Sequence, residues 1–188
     1  MAFLIAGLAI FVGVHLLPVF PSARLTLMTR SGENRYKAIF SFASALGLVL
    51  IIAGYALSGD RVRVFAPVPA ARAIAPYAMI VSFILFAAAN MRGHLRRFLR
   101  HPMLIGLLIW SGVHFLANGD RTGILLFGGF FAYAVIDLVS AIARGAVKSF
   151  VPAAKYDVMA VVGGTAVALA VMTFHRLLFG VPVVSFGV

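Results

Sequence analysis

The chain has 188 residues, of which 63% are hydrophobic and only 11% are charged, against about 25% charged residues in an ordinary soluble domain. A soluble domain of this size keeps about a third of its unfolded surface in water. It could not bury so many apolar side chains, so lipid must surround them. The absence of cysteine excludes thiol nucleophiles, iron–sulfur clusters and cysteine-based zinc sites. No soluble basic domain carries the net charge of +11, which argues against nucleic acid as a partner and for anionic lipid.

Six apolar runs follow one another along the chain, with short loops between them. Runs of about 17 to 25 apolar residues are long enough to cross a bilayer. The sequence therefore predicts an all-α fold, a single domain over residues 1–188 with six transmembrane helices near residues 2–20, 38–57, 73–90, 102–118, 122–143 and 158–174. The first run lacks the basic start of a signal peptide, so we expect it to stay in the protein. The tail over residues 177–188 is too short to span and is expected at the membrane interface or against the helices.

The distribution of Lys and Arg predicts the orientation in the membrane. Loops on one side of the predicted bundle contain 11 of the 16 basic residues, and loops on the other side contain the remaining five: Arg61, Arg63, Arg72, Arg121 and Arg176. Loops rich in Lys and Arg stay on the cytoplasmic side. Both termini are therefore expected on the opposite side.

Two local patterns predict packing and capping. Ala160, Gly164 and Ala168 place small residues on one face of the sixth span, and such a face allows close approach of another helix. Asp120 directly precedes the fifth span, where aspartate is a favoured N-cap residue.

Ionisable residues inside spans are costly and are often functional, and His15, His114 and Asp137 are the clearest examples here. Histidines on separate helices can ligate a metal jointly, or each can be a structural histidine held by a hydrogen bond. Counting from the middle of each span places His15 and His114 roughly 12 Å apart in depth, a difference that helix tilt and shifted span boundaries must close if both are to ligate one iron. His175, next to Arg176, is expected to be an interfacial residue without a functional role.

Asp137 has two interpretations that the sequence leaves open. A simple count places it at a depth similar to that of His15, so its carboxylate could fix the orientation of that imidazole. Alternatively, it forms an ion pair with Arg24 or Arg144, whose long side chains can reach into the membrane.

Three motifs resemble those of NnrU proteins: the stretch from His15 to Ser22, Arg100-His101-Pro102 with Gly106, and the segment from Trp110 to Asp120. The resemblance covers nearly the whole chain. NnrU proteins are bacterial inner-membrane proteins associated with denitrification and with nitrite or nitric oxide reduction. The resemblance therefore implies an inner-membrane location and an electron-transfer or denitrification partner.

The NnrU family is related to the plant 15-cis-zeta-carotene isomerases, which bind haem b through histidines. Matching their ligand positions residue by residue implies that His15 and His114 are the ligands of a haem b here. Those isomerases carry a cysteine three residues before the second histidine, and this chain has Ser111 there. The resemblance thus implies haem binding, while a cysteine-dependent ligand switch is not available.

Arg100 and His101 stand just before Pro102 and form a cationic helix start that could hold a haem propionate, a phosphate or a carboxylate, or simply anchor the helix. Asn118, after the fourth span, is a candidate for shaping the opposite mouth of the site. This helix start also resembles a segment of membrane methyltransferases, but the tail lacks their acidic motif, so methyl transfer is not expected.

Three functions stay open: a haem protein, a haem-dependent isomerase of a carotenoid-like polyene, and a cofactor-free accessory protein with structural histidines.

Overall fold

The computed structural model describes residues 1–59, 62–180 and 183. Within these residues the chain forms eight α-helices: α1 (Ala2–His15), α2 (Pro21–Ser31), α3 (Glu33–Ala56), α4 (Pro69–Ala89), α5 (His94–Leu99), α6 (Pro102–Asn118), α7 (Arg121–Ala143) and α8 (Ala154–Phe179). A short 3-10 helix, Leu17–Val19, follows α1. The same residues contain no β-strand, which confirms the predicted all-α class. Arg61 lies outside the described residues. The tail beyond residue 180, whose position was predicted above, also lies outside them, except for residue 183.

Five segments in the described residues are long and apolar enough to cross a membrane: Ala2–Val19, α3, α4, α7 and α8. Helix α6 has the predicted bounds and is apolar, but its 17 residues make it shorter than the other five. The structure therefore supports a multi-pass membrane protein with five candidate spans.

Proline and glycine set several helix boundaries. Pro21, Pro69 and Pro102 stand at the first position of α2, α4 and α6, where the missing N–H costs no helical hydrogen bond. Gly32 separates α2 from α3 with a φ of 80°, a conformation that glycine adopts without strain. Helix α3 starts at Glu33, earlier than predicted, because a polar first turn continues the helix beyond the apolar run.

The chain divides into two compact units, each built from two separate stretches of sequence. Unit 1 comprises residues 1–67 and 118–144, with α1, α2, α3 and α7. Unit 2 comprises residues 68–117 and 145–188, with α4, α5, α6 and α8.

In unit 1, α1 and α3 approach each other closely at glycines on both helices. A β-carbon added to Gly54 would lie 2.2 Å from the backbone nitrogen of Leu4, and one added to Gly7 would lie 2.8 Å from the carbonyl oxygen of Gly47. Such distances leave no room for a side chain. The backbones of the two helices are therefore in direct contact, which is how helices associate tightly in lipid.

In unit 2, α8 packs on α4 through the predicted row of small residues. Ala160, Gly164 and Ala168 are all buried, and a β-carbon on Gly164 would lie 2.5 Å from the Cα atom of Ile84. The prediction that this face allows close helix approach is confirmed, and the partner helix is α4.

The turn that precedes α7 in unit 1 is fixed by backbone hydrogen bonds. Gly119, with a φ of 72°, accepts the N–H groups of Val64 and Phe65 at 2.9 and 3.2 Å. The carboxylate of Asp120 accepts the N–H of Gly123 at 2.9 Å. Asp120 is thus the N-cap residue of α7, as predicted.

Candidate functional site: two histidine clusters

His15, the last residue of α1, belongs to unit 1 and is half-buried. Its Nδ1 lies 2.7 Å from the carbonyl oxygen of Phe11, one helical turn earlier. Because a carbonyl can only accept, Nδ1 must carry the proton in this contact. The Nε2 atom of the neutral ring then has a lone pair available for a metal.

Three aromatic rings surround this imidazole. Phe11 stacks on it at 4.1 Å between ring centroids, Phe40 lies at 5.1 Å, and Tyr133 meets it edge-on at 6.1 Å. The rings come from α1, α3 and α7, so three helices of unit 1 fix the orientation of His15. They also give it an apolar environment.

Asp137 of α7 lies beside this cluster and contacts Tyr133 and Arg144. The hydroxyl of Tyr133 donates to Oδ2 of Asp137 at 3.2 Å, and Nη2 of Arg144 lies 3.9 Å from Oδ1. Arg144 also donates to Ser140 Oγ and to the carbonyl of Pro18. In the described part of unit 1, Asp137 and His15 share no hydrogen bond. The structure thus pairs Asp137 with Arg144, and Tyr133 touches both the acid and the histidine.

His114 of α6 forms the second cluster, in unit 2, and repeats the backbone contact of His15. Its Nδ1 lies 2.8 Å from the carbonyl oxygen of Trp110, again one turn earlier in the helix. The Trp110 ring lies 5.2 Å from the imidazole. Ser111, at the position where the related isomerases have cysteine, is buried and donates its hydroxyl to the Leu107 carbonyl at 2.5 Å.

His175 of α8 belongs to the same unit as His114. Its ring packs at 4.7 Å against Phe179. The sequence indicated only an interfacial residue here.

The residues before α6 are arranged as a strained turn. Arg100 has a φ of 63°, a conformation that costs a non-glycine residue about 1 to 3 kcal/mol. Its side chain is exposed, whereas His101 is half-buried and donates its backbone N–H to the carbonyl of Leu99 at 2.7 Å. The predicted start of α6 at Pro102 is confirmed. Arg100 and His101 therefore stand together at the beginning of the His114 helix.

Asn118 is half-buried at the end of α6, immediately before the Gly119 turn. A β-carbon added to Gly123 would lie 3.1 Å from the Cβ atom of Asn118, so Asn118 packs against the first turn of α7. It thus belongs to the closely packed turn that Asp120 caps.

Asp157, in the first turn of α8, is the polar residue that the sequence analysis missed. Its two carboxylate oxygens accept the backbone N–H groups of His94 and Leu95, each at 2.9 Å, and Oδ2 lies 2.8 Å from Nδ1 of His94. The carboxylate therefore caps α5 from a residue far away in the chain. A β-carbon on Gly93 would lie 2.3 Å from Oδ1, which explains the glycine before α5.

Each of the four acidic residues that the structure describes has a local partner: Glu33 pairs with Lys37, Asp120 caps α7, Asp137 pairs with Tyr133 and Arg144, and Asp157 caps α5. Over residues 1–59, 62–180 and 183, no three His, Asp or Glu side chains form a group that could hold a metal ion.

The long apolar helices and the row of small residues define a helical multi-pass membrane protein. The family model described as NnrU protein matches residues 3–183. The chain therefore belongs to the NnrU family, as its three motifs indicated. No curated protein and no solved structure matches it.

Proposed function

We propose that this NnrU protein binds haem b in a bacterial inner membrane, with His15 and His114 as ligands of the iron. In this proposal α6 is a sixth span despite its length, and both termini are periplasmic. The resemblance to NnrU proteins links the haem to the metabolism of nitrite and nitric oxide, with an electron-transfer or denitrification protein as partner.

One observation carries the proposal: both intramembrane histidines have the same hydrogen bond. Nδ1 of His15 and of His114 faces the carbonyl oxygen one turn earlier, at 2.7 and 2.8 Å. Histidines that ligate metals usually donate the other ring N–H to a carbonyl or carboxylate, which fixes the tautomer with Nε2 towards the metal. The donor set therefore fits a haem iron.

The cofactor-free alternative predicts hydrogen bonds from the histidines to other helices. In the part of the chain that the structure describes, the hydrogen bond of His15 is to Phe11 of its own helix. That bond leaves Nε2 without a structural role. The geometry of His15 therefore favours a ligand over a purely structural histidine.

The surrounding residues would support a bound haem in distinct ways. Bound haem supplies an iron that changes oxidation state and binds small ligands such as nitric oxide. Phe11, Phe40 and Tyr133 keep water away from His15, and Tyr133 connects this region to Asp137. The guanidinium group of Arg100 and the ring N–H of His101 suit haem propionates, and Asn118 would shape the mouth at the other end of α6.

The test is the visible absorption spectrum of the detergent-purified protein from haem-replete cells, oxidised and then reduced with dithionite. We expect a Soret band that shifts on reduction. His15→Ala and His114→Ala should each abolish or reshape this band. His94→Ala is the matched control, because His94 pairs with Asp157 outside the apolar runs.

Other results would contradict the proposal. A colourless, well-folded preparation would favour the cofactor-free accessory protein, and carotenoid bands in place of a Soret band would favour the polyene isomerase. Equal changes of the Soret band in His15→Ala, His114→Ala and His94→Ala would contradict the ligand assignment. His175→Ala, expected to leave the band in place, checks whether the neighbour of His114 takes part.

The orientation has an independent test. A reporter fused after Val188 of the full chain should be active in the periplasm. A cytoplasmic signal would contradict this orientation: either both termini are cytoplasmic, or the number of spans is odd and α6 does not cross the membrane.

A further inference from the structure

Unit 1 contains a cavity of about 300 Å³ at the end of α1. The 3-10 helix, α2 and the first turns of α3 complete its walls. Val14, Leu17, Ile39 and Phe40 line its apolar part. Its volume lies at the lower end of the range for small-molecule pockets, enough for a headgroup or part of a chain.

Two arginines stand at this cavity on either side of the α2–α3 junction: Arg30 in the last turn of α2 and Arg35 in the first turn of α3. Both side chains belong to exposed residues. The nearest acid in sequence, Glu33, is paired with Lys37 at 2.6 Å. Over residues 1–59, 62–180 and 183, no acidic side chain pairs with either arginine. Two positive charges thus lie beside an apolar cavity without compensation.

We infer that this cavity is a binding site for one anionic phospholipid. The two guanidinium groups would hold the phosphate, since arginine forms paired, charge-assisted hydrogen bonds with phosphate oxygens. The apolar wall would take the first methylenes of an acyl chain, which a free phosphate ion does not have. Both arginines belong to the predicted cytoplasmic loops, and lipids of that leaflet supply negative charge.

The headgroup follows from the same charges. A zwitterionic choline lipid would bring its ammonium group towards two uncompensated guanidinium groups, whereas phosphatidylglycerol has no positive charge. The site is therefore expected to select phosphatidylglycerol over phosphatidylcholine. This inference depends on membrane insertion of unit 1 and not on haem.

Native mass spectrometry of the intact protein, released from detergent and titrated with each lipid, tests the inference. The double variant Arg30→Gln/Arg35→Gln should bind phosphatidylglycerol about tenfold more weakly, the change expected for losing charge-assisted hydrogen bonds. The matched control is Arg24→Gln/Lys148→Gln, which removes two positive charges from the predicted cytoplasmic loops outside the cavity lining and leaves the Glu33–Lys37 pair in place. It should bind as the unchanged protein does.

A further variant tests the apolar wall separately. Val14→Trp fills the cavity and keeps both arginines, so phosphatidylglycerol binding should weaken while the helical circular dichroism and the elution volume stay constant. Inorganic phosphate at millimolar concentration should not displace the lipid.

Three results would overturn the inference. An equal loss in the Arg24/Lys148 control would show a general charge effect, and equal binding of the two lipids would remove the headgroup selectivity. Displacement by inorganic phosphate would identify a site for free phosphate instead.

Discussion

The α1–α3 pair of unit 1 and the α4–α8 pair of unit 2 both pack through small residues, but the two contacts differ in how many glycines they contain. Between α1 and α3 there are glycines on both sides, and an added β-carbon on Gly54 would come within 2.2 Å of a backbone nitrogen. Between α4 and α8, Gly164 is flanked by two buried alanines, and the corresponding distance is 2.5 Å to a Cα atom. Helices in lipid gain little from hydrophobicity, so close packing must hold them together. The pair with glycine on both helices should therefore tolerate added volume least.

The two histidine clusters also differ, in the side chains that surround each imidazole. His15 and His114 share the contact of Nδ1 with a carbonyl of their own helix. His15 lies among three aromatic rings from three helices, whereas His114 lies beside Trp110 of its own helix. The same donor geometry is thus held by rings from three helices in unit 1 and lies beside a ring of the same helix in unit 2.

The largest expected effect tests the α1–α3 contact. Gly54→Ala should lower the free energy of unfolding by about 3 kcal/mol, because the new methyl group overlaps the backbone of Leu4. Gly13→Ala in α1 is the control, since nothing lies within 4 Å of an added β-carbon there. It should be neutral or stabilise by about 0.5 kcal/mol through helix propensity. SDS titration of both variants measures this, and equal stabilities would contradict direct backbone contact.

The corresponding change in unit 2 should be smaller. Gly164→Ala is expected to cost about 2 kcal/mol, because the new methyl group meets Ile84 but the flanking contacts are already made by side chains. Gly163→Ala, one residue earlier and facing open space, is the matched control and should not destabilise. The same titration compares all four variants. A greater loss at Gly164 than at Gly54 would reverse the proposed order of the two pairs.

A double-mutant cycle on Asp137→Asn and Arg144→Gln separates the two interpretations of Asp137. At 3.9 Å between the charged atoms, we expect a coupling energy of about 1 kcal/mol or less. If the carboxylate acted on His15 instead, Asp137→Asn alone would shift the Soret band. Arg144→Gln would then leave the band in place. Unfolding and visible spectra of the same three variants provide both measurements.

The smallest expected effect is a local increase in hydrogen exchange at the start of α5, in unit 2. Asp157→Ala removes the carboxylate that accepts the N–H groups of His94 and Leu95, so hydrogen exchange at these two amides should become faster. Amides in the middle of α4 should be unaffected. Glu33→Gln, which changes an exposed pair within one helix, is the control. Unchanged exchange in α5 would show that its cap does not depend on Asp157.

Local signals in the sequence were sufficient for much of the fold. Asp120 before an apolar run predicted the N-cap of α7, Pro102 predicted the start of α6, and the spacing of Ala160, Gly164 and Ala168 predicted a close-packed face. Each of these depends on neighbours within one or two helical turns. Helices α2 and α5 were missed because both are short and contain basic residues, so neither forms an apolar run.

The candidate site could be predicted only in part. The apolar neighbours of His15 and His114 marked both residues, but their bonds to Phe11 and Trp110 are a property of the folded helices. The pairing of Asp137 stayed open because a count along the helices places His15 within its reach, and the long side chains of Arg24 and Arg144 could reach it as well. Asp157 was missed because its partners, His94 and Leu95, lie more than sixty residues earlier, and no local pattern connects them.

The order of the helices in the chain has a consequence for biosynthesis. In unit 1, α1 can meet α3 as soon as α2 and α3 have been made, so the Gly54 contact can form early. In unit 2, α4 leaves the ribosome before α5, α6 and α7, and its backbone at Ile84 meets Gly164 only after α8 has followed. Until then, a face of α4 and the first amides of α5 lack their final partners. Chains that stop before α8 would therefore expose them to quality-control proteases, and topology is better mapped with insertions in the full chain than with truncations.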